Sequence, residues 1–262
     1  MRNTLQLKIK DNTDSNHVII DYTETDYRNF WESKCKLILH DQEMKISGKF
    51  LPPSSQWLID IGCGFGRMLP SYYNENGRFV LVDYALNNLE TAKKINGARQ
   101  NIFYIVADVY HLPFKDNVYQ SAVCVRLFHH LNNPVNFINE MNRILKTKAY
   151  ILFSYINERS LLRIFRYGLR CFKHEHVQVS SAIYATHPAY FKALIRPAGI
   201  HVLHQKGAGF IHQVSHHWPA IEEMIEKHSR LLPAFSILDR LISTLLGFFR
   251  LALMEYLLLQ KK

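Results

Sequence analysis

Short apolar segments alternate with helix-like segments through the middle of the chain. Apolar segments of this length, flanked by polar, glycine or proline residues, predict buried strands. Such strands are predicted at Trp57–Ile61, Phe79–Asp83, Ile102–Ala107, Ser121–Val125 and Tyr150–Tyr155.

Amphipathic segments between these strands predict helices over Arg67–Tyr73, Leu86–Ile95 and Pro134–Leu145. Asn133 is a candidate N-cap for the last of them, and Pro134 takes the first helical position, where no backbone N–H is needed. Strands that alternate with helices predict an α/β fold, with a doubly wound, mostly parallel sheet covered on both faces.

The two ends of the domain depart from this alternation. Residues 1–50 are predicted to form an N-terminal cap, in which a polar, aromatic-rich segment is followed by a helix to about Lys49. A break at Pro52–Ser55 separates the cap from one domain over residues 51–262. Inside that domain, residues 156–186 are basic and aromatic and are predicted to be an insertion.

The last third of the chain is predicted to complete the sheet. A helix over Pro188–Ala198 ends at Gly199, where glycine favours helix termination. His201–Gly207 and Leu253–Gln260 are predicted as a late pair of strands, with a helix at about residues 220–250 inserted between them.

The inserted helix is strongly apolar. Apolar residues fall at positions 237, 238, 241, 242, 245, 246, 248 and 249, which is a helical stripe. Charged residues such as Asp239 and Arg250 interrupt the segment before about 18 uncharged residues accumulate, so no membrane span is predicted. The preferred interpretation is a helix packed on the domain's own core, and a helix lying on a membrane surface is the alternative.

Composition is that of a globular protein with a basic balance. The 262 residues are 48% hydrophobic and 21% charged, with a formal net charge of +10. This charge favours anionic partners, but no dense Lys/Arg block is present, so nucleic-acid binding is possible and not favoured.

The four cysteines form no C-x-x-C pair, which argues against a zinc site or a disulfide framework. Together with the polar segment Met1–Ser15, which does not resemble a signal peptide, they predict a cytoplasmic location.

The candidate chemistry begins at a glycine-rich turn. The first strand ends at Asp60, and Gly62-Cys63-Gly64-Phe65-Gly66 follows. Glycines let the backbone approach a ligand closely, and a helix after the turn would favour an anionic group such as the methionine carboxylate of S-adenosylmethionine. Asp60 is expected to bind the amino group of that cofactor. A dinucleotide site requires G-x-G-x-x-G, and here Arg67 takes the place of the third glycine.

Two further carboxylates end the next two strands. Asp83 is predicted to accept hydrogen bonds from the ribose hydroxyls, and Asp108 to accept one from the adenine amine, with Val109 against the ring. A turn-forming aspartate is the alternative at both positions. The predicted cofactor contacts also include Cys63, Tyr84 and Val125.

The segment Cys124–Leu131 leaves the fourth strand where a transferred methyl group would meet its acceptor. His129 and His130 are candidate general bases there, and His129 is the predicted catalytic residue. A purely structural histidine is the alternative.

These motifs together resemble those of the methyltransferase type 11 group of class I, S-adenosylmethionine-dependent enzymes. The group has D-x-G-C-G-x-G, an acidic end of the second strand, A-D-x-x-x-L-P-F and H-H-L in this order, matching Asp60–Gly66, Asp83, Ala107–Phe114 and His129–Leu131. The resemblance implies cofactor roles for Asp60, Gly62, Gly64, Gly66, Asp83 and Asp108. It also implies a Rossmann-like sheet of seven strands whose last strand, Leu253–Gln260, is antiparallel.

Two regions outside these motifs refine the resemblance. Tyr27–Trp31 is similar to an N-terminal cap of uncharacterised bacterial members. Tyr22, Tyr27 and Trp31 are expected to close over the cofactor, with Arg28 near its carboxylate. Plain aromatic packing is the alternative. Lys146–Ala149 replaces the group's usual Lys-Pro-Gly-Gly turn, so an altered loop geometry is expected there.

The sequence thus predicts a methyltransferase that uses S-adenosylmethionine and acts on an O, N or C atom of a small-molecule acceptor. The basic, aromatic stretch Arg159–Lys173 motivates an RNA- or protein-directed enzyme as the alternative. A catalytically silent cofactor-binding protein is a third possibility. No metal site is predicted, although His174-x-His176 and His212-x-x-x-His216-His217 have usable spacings. The oligomeric state is left open.

Overall fold

The computed structural model describes residues 8–11, 18–21, 27–52, 56–97, 99–167, 176–180 and 183–262. Its strands are β1 Lys8–Asp11, β2 Val18–Asp21, β3 Trp57–Ile61, β4 Arg78–Asp83, β5 Ile102–Val106, β6 Tyr119–Cys124, β7 Leu145–Ile156, β8 His176–Ser180, β9 Ile183–Thr186, β10 Ile200–Ala208 and β11 Met254–Lys261. Its α-helices are α1 Lys34–Phe50, α2 Leu86–Asn96, α3 Pro134–Ile144, α4 Leu161–Tyr167, α5 Pro188–Ile195, α6 Phe210–His217, α7 Pro219–Lys227 and α8 Leu232–Phe248.

Within the described residues, the main sheet contains seven strands in the order β10-β11-β7-β6-β3-β4-β5. The pairs among β7, β6, β3, β4 and β5 are parallel, and β11 is antiparallel to both of its neighbours. The predicted α/β class is confirmed, and so is the antiparallel last strand. The strand order reverses between β3 and β6, and their carboxyl ends therefore form the edge where such sheets bind ligands.

Two apolar cores cover the two faces of this sheet. One includes Phe137, Met141 and Phe191 from α3 and α5, and the other includes Leu39 and Ile46 from α1. The predicted cap at Asn133 is confirmed, since its side chain accepts a hydrogen bond from the backbone N–H of Asn136 at 3.1 Å. The buried stripes of these helices hold the central strands rigidly in register.

The predicted helix over Arg67–Tyr73 is wrong. This segment forms turns and a single 3-10 turn at Leu69–Ser71. Pro70 lacks a backbone N–H and disfavours a helical conformation at the residue before it, so an α-helix does not propagate. The glycine turn is therefore followed by no helix whose N-terminal amides would hold an anion.

The segment Lys146–Ala149, for which an altered loop was predicted, is not a loop. Strand β7 begins at Leu145, five residues before the predicted Tyr150, and already contains Lys146–Ala149. Lys148 has φ +65°, and the pairing with β6 shifts register between Tyr119 and Ser121. The altered turn is thus absorbed into the start of the strand.

The predicted helix over residues 220–250 is divided into α7 and α8, and its orientation is opposite to the prediction. Apolar positions such as Leu241 and Leu245 are exposed, whereas Asp239, Ser243 and Gly247 face the body of the protein. Gly247 packs against Gly207 of β10 so closely that a Cβ on Gly207 would lie 2.9 Å from the Gly247 Cα. Backbone contact at this point requires the absence of side chains on both elements.

Gly207→Ala is expected to destabilise the fold by about 1–3 kcal/mol through overpacking. The new Cβ would lie 2.3 Å from the Ala252 Cβ and 2.6 Å from the Ser243 carbonyl oxygen. Urea unfolding followed by circular dichroism measures the change in the free energy of unfolding.

Gly48→Ala is the matched control for this substitution. Gly48 lies inside α1, and a Cβ there would meet its nearest neighbour, the Ser71 carbonyl oxygen, at 3.6 Å. Alanine is expected to stabilise the helix by about 0.5–1 kcal/mol. Equal effects of the two substitutions would contradict the close approach of α8 to β10.

Candidate cofactor and acceptor site

The glycine turn connects β3 to the end of β4. Gly62, Gly64 and Gly66 all have positive φ, at +71°, +54° and +72°, which other residues rarely adopt. The backbone N–H groups of Gly62 and Cys63 both donate to the Val82 carbonyl oxygen, at 2.8 Å and 3.0 Å. Most of the turn's hydrogen-bonding capacity is thus used to fix its own shape.

Gly66 differs from the other two turn glycines in what lies beside it. A Cβ at Gly66 would lie 3.3 Å from the Ala92 Cβ and 2.9 Å from the Asn96 side chain, both on α2. Gly66 does not belong to the described lining of the two pockets below. Its position therefore indicates a packing role against α2.

Asp83 lies at the end of β4 and secures the turn. Its carboxylate accepts hydrogen bonds from the backbone N–H groups of Gly64 at 2.8 Å and Ala85 at 2.9 Å, and from the Asn88 side chain at 3.2 Å. Burial raises the pKa of Asp83. An ionised carboxylate accepts about four hydrogen bonds, so acceptor capacity remains for a ligand hydroxyl.

An open pocket of about 740 Å³ lies along the carboxyl ends of β4, β5 and β6. The predicted site residues that line it are Tyr27, Gly62, Gly64, Asp83, Tyr84, Asp108 and Val109. The remaining wall near β6 comes from Arg126, Leu127, His130 and Leu131.

Asp108 takes part in a turn and also lines the large pocket. One carboxylate oxygen accepts a hydrogen bond from the Tyr110 backbone N–H at 2.9 Å, which closes a turn after β5. The same residue lines the large pocket beside the buried side chain of Val109. The turn therefore holds the carboxylate in place at the pocket wall.

A smaller pocket of about 360 Å³ adjoins the first and shares Tyr27, Gly62, Gly64 and Arg126 with it. Predicted residues Asp60, Cys63 and Val125 line this second pocket, together with Arg67. Burial raises the pKa of Asp60 to about 7, while a hydrogen bond from the Tyr72 hydroxyl, at 2.5 Å, opposes this shift. Asp60 is thus poised to ionise when a cation approaches.

The two arginines of this pocket share one buried carboxylate. Glu43 of α1 lies 2.6 Å from Arg67 Nη1 and 3.6 Å from Arg126 Nη1, and all three side chains are at least nine-tenths buried. Glu43 also accepts a hydrogen bond from the Tyr256 hydroxyl of β11. The two guanidinium groups exceed the Glu43 carboxylate in charge while Asp60 is protonated, and the charges balance when Asp60 ionises.

Arg126 combines a strained backbone with buried donor atoms that make no hydrogen bond to the protein. Its Nε and Nη1 atoms are buried and have no hydrogen-bond partner among the described residues. Its φ is +62°, a costly conformation for arginine, and its backbone N–H is fixed by the Ser154 hydroxyl at 2.9 Å. Buried guanidinium donors are normally paired, so an anionic group is expected to meet them.

The sequence did not identify Glu43, Arg67 or Arg126 as site residues. Arg67 stands where a dinucleotide motif has glycine, and Arg126 interrupts an apolar strand end, which are the only signals for them. Glu43 lies in an ordinary helical sequence without any such signal. Its role arises from tertiary contacts across α1, the turn, β6 and β11.

Tyr22 lies outside the described residues, and of the other predicted cap residues only Tyr27 lines the two pockets. Trp31 is buried behind them, where its ring supports the Arg67 guanidinium at 3.7 Å. Arg28 is exposed and lies outside the described lining of both pockets. The arginine close to the expected carboxylate position is therefore Arg67 or Arg126 rather than Arg28.

The histidine pair is arranged differently from the prediction. His130 lines the large pocket, whereas His129 is buried outside the described lining, with its ring centroid 4.1 Å from that of His130. Burial, followed by the neighbouring His130 and Arg126, lowers the pKa of His129 well below its ordinary value. His130, and not the predicted His129, therefore lies at the pocket, so the prediction that His129 reaches the acceptor is corrected.

Within the described ranges, no group of three or more His, Cys, Asp and Glu side chains is arranged to hold a metal ion. His176 instead contacts the Thr186 hydroxyl and the Leu131 carbonyl oxygen, each at 2.8 Å. His174 lies outside the described residues, as does much of the basic stretch Arg159–Lys173.

Residues 59–153 match the model of a family described as a methyltransferase domain. An uncharacterised protein of Methanocaldococcus jannaschii is 33% identical over 108 residues, which cover 40% of this chain and 43% of that protein. A demethylmenaquinone methyltransferase of Chlamydia trachomatis is 30% identical over 96 residues, covering 36% of this chain and 42% of that protein. The chain thus spans less than half the length of these curated relatives.

A solved structure with the same fold is that of a putative S-adenosylmethionine-dependent methyltransferase from Listeria monocytogenes. It superposes with a TM-score of 0.59 at 12% identity, covering 85% of this chain and 99% of that chain. At this identity the similarity concerns the fold alone, and it extends well beyond residues 59–153.

Glu43→Gln is expected to lower the free energy of unfolding by about 3–5 kcal/mol, because it leaves two buried guanidinium groups without a carboxylate. Urea unfolding at constant pH measures the loss. Asp41→Asn is the matched control on the same helix, since it removes an exposed pair in which Asp41 lies 2.7 Å from Lys45 Nζ. Exposed pairs contribute about 0–1 kcal/mol, so losses of similar size in both variants would refute the buried network.

Proposed function

We propose that this chain, which carries a class I, S-adenosylmethionine-dependent methyltransferase domain of the type 11 group, transfers a methyl group from that cofactor to a small-molecule acceptor. The observation that carries the proposal is the opposite charge of the two ends of the site. Carboxylates of Asp83 and Asp108 line one end, and the guanidinium groups of Arg67 and Arg126 line the other. S-adenosylmethionine has hydroxyl and amine donors at one end and a carboxylate at the other.

The carboxylate end fits an adenosine group. Asp83 lines the large pocket at the end of β4, where its carboxylate can accept hydrogen bonds from ribose hydroxyls. Asp108 lies on the next strand end, where it can accept a hydrogen bond from an exocyclic amine. The apolar wall at Val109 suits the face of a purine ring.

The guanidinium end fits an amino-acid group. An ammonium near Asp60 would favour the ionised carboxylate, whose pKa burial has raised to about 7. A carboxylate would meet the Nε donor of Arg126, which has no hydrogen-bond partner among the described residues, and Nη1, which lies 3.6 Å from Glu43, beyond hydrogen-bonding distance. In this proposal the arginines take the anion-binding role that the sequence had given to a helix N-terminus and to Arg28.

The chemistry needs little from the protein beyond alignment. The cofactor supplies a methyl group that its own positive charge has already activated. Residues of the chain hold the reactants in line, and such positioning alone lowers barriers substantially. Leu127 and Leu131 provide an apolar wall beside His130, which can take a proton from an acceptor that must lose one.

The nature of the acceptor rests on weaker support than the methyl donor. The relative from Chlamydia trachomatis is named for demethylmenaquinone, which is a quinone and neither RNA nor protein. This name favours a small-molecule acceptor over RNA or protein, and the apolar wall of the pocket is consistent with it. The cytoplasmic location remains a prediction.

Isothermal titration with S-adenosylmethionine and with its demethylated product tests cofactor binding directly. Incubation of the protein with cell extract and methyl-labelled cofactor then tests transfer. Label in a low-molecular-weight fraction supports the proposal, and label in RNA or protein supports the alternative. Cofactor binding without methyl transfer to any component would indicate a catalytically silent cofactor-binding protein. No cofactor binding at millimolar concentration would exclude methyl transfer from S-adenosylmethionine.

Asp83→Asn is expected to weaken cofactor binding about 10- to 100-fold, because it removes charge-assisted hydrogen bonds to the ribose. Asp116→Asn is the control, since this exposed carboxylate pairs with Arg143 away from both pockets and should leave the affinity unchanged. Titration calorimetry measures both variants, with thermal unfolding to confirm that each is folded. Equal cofactor affinity of Asp83→Asn and the wild-type protein would show that Asp83 does not bind the ribose.

His130→Gln is expected to lower methyl transfer at least about tenfold for an acceptor that must be deprotonated, with the cofactor affinity unchanged. His129→Gln should lower the melting temperature, since His129 is buried, and leave transfer by the folded protein nearly unchanged. The extract assay and titration calorimetry separate these effects. The reverse pattern would restore His129 as the base.

A further inference from the structure

Helix α8 presents large apolar side chains to solvent. Its exposed residues, together with the residues that flank it, are between 48% and 81% accessible and are Leu231, Ile237, Leu238, Leu241, Leu245, Phe248 and Phe249. Single exposed apolar residues are common on protein surfaces, but this many on one short segment are not.

These residues form one stripe along the helix. Leu238, Leu241, Leu245 and Phe248 follow one another at spacings of three or four residues, which places them on one face. Leu231 lies two helical turns before Leu238 and continues the same line. The solvent side of α8 therefore carries a continuous apolar stripe, with Arg240 and Thr244 exposed along one edge of it.

The opposite face of α8 is polar and buried. Asp239 accepts hydrogen bonds from the Gln42 side chain and from the Ile211 backbone N–H. The Ser243 hydroxyl accepts a hydrogen bond from the Phe210 backbone N–H at 3.1 Å. Rotating the helix to bury its leucines would expel Ser243 and leave these partners unsatisfied, which is costly.

The close approach of Gly247 to Gly207 fixes the same orientation. A Cβ on Gly247 would lie 2.4 Å from the Gly207 backbone nitrogen, so only the glycine side of α8 can face β10. The outward direction of the apolar stripe is thus built into the fold.

A cationic cluster flanks this stripe. Lys206 of β10 lies close enough to Lys49 and Arg240 for their charges to lower its pKa, in addition to the larger effect of burial. Lys49 and Arg240 are exposed, and Arg240 lies on α8 itself. The chain as a whole carries a formal charge of +10. An apolar face bordered by cations complements a lipid surface with anionic headgroups.

A second copy of the chain fits this face less well than a bilayer. A self-complementary contact would bring another copy of the same cationic cluster into the interface, and like charges there oppose association. Anionic headgroups would instead neutralise the cluster while the acyl region takes up the leucines.

We propose that α8 docks on an anionic membrane surface, lying in the plane of the interface with Leu241, Leu245 and Phe248 inserted and Arg240 at the headgroups. Among the described residues, Ser229–Phe248 is the one helical segment long and apolar enough to cross a membrane by length and composition. Its buried contacts through Asp239 hold it against the domain, which favours a flat orientation over a crossing one.

Co-sedimentation with vesicles tests the proposal on the full chain. Binding is expected to vesicles that contain phosphatidylglycerol, with much weaker binding to phosphatidylcholine alone and weaker binding at high salt. Hydrogen exchange of the wild-type protein should show new protection over residues 231–249 when phosphatidylglycerol vesicles are added. This second measurement needs no substitution.

The variant Leu241→Gln/Leu245→Gln/Phe248→Gln is expected to lower vesicle binding at least about tenfold. Ile95→Gln/Val135→Gln is the matched control, because these residues are 54% and 49% exposed on α2 and α3 and should leave binding unchanged. Arg240→Gln should weaken binding to phosphatidylglycerol vesicles about fivefold, and binding to phosphatidylcholine vesicles much less.

Three results would overturn the proposal. The first is no vesicle binding and no new protection over residues 231–249 in the wild-type protein. The second is equal binding by the triple variant and the control variant. The third is a dimer in sedimentation velocity that the triple variant abolishes while vesicles remain unbound, which would assign the face to a second copy. All of these readouts are independent of methyl transfer.

Discussion

The buried carboxylate of Glu43 joins the parts of the molecule on which the site depends. It lies on α1, and it contacts Arg67 after the glycine turn, Arg126 after β6 and Tyr256 on β11. A charge in this position is tolerated only because it is paired and hydrogen-bonded. The N-terminal helix therefore supports the site from behind its lining, and the position of both guanidinium groups depends on it.

This network explains how the pocket can bind an anion without a helix N-terminus. The turn glycines use their amides on Val82 and Asp83, and Pro70 prevents a helix after the turn. Positive charge is supplied instead by two arginines that share one carboxylate. The strained backbone at Arg126 is held by Ser154 of β7, so the sheet sets the direction in which the Arg126 guanidinium group points.

The same helix α1 also connects the site to α8. Gln42, next to Glu43, donates to Asp239 and so contributes to the contacts that turn the apolar side of α8 outward. Glu43 of α1 thus positions the two arginines of the pocket, and the adjacent residue, Gln42, helps to fix the orientation of α8. The methyl-transfer site and the membrane-docking face proposed here are supported by one structural element.

Local patterns in the sequence predicted the sheet and its strand ends well, because strand burial and glycine turns depend on residues close together in the chain. Asp60, Asp83 and Asp108 follow from their positions after apolar segments, and each lines a pocket. The partners of Arg67 and Arg126, the choice between His129 and His130, and the outward face of α8 were decided only by tertiary structure. Glu43 is 83 residues before Arg126 and 213 before Tyr256, and Gly207 is 40 before Gly247. A periodic pattern of neighbouring residues cannot indicate contacts over such sequence distances. The helical stripe of α8 revealed that two faces exist, but only the buried bonds of Asp239 and the contact at Gly247 determined which face meets the protein.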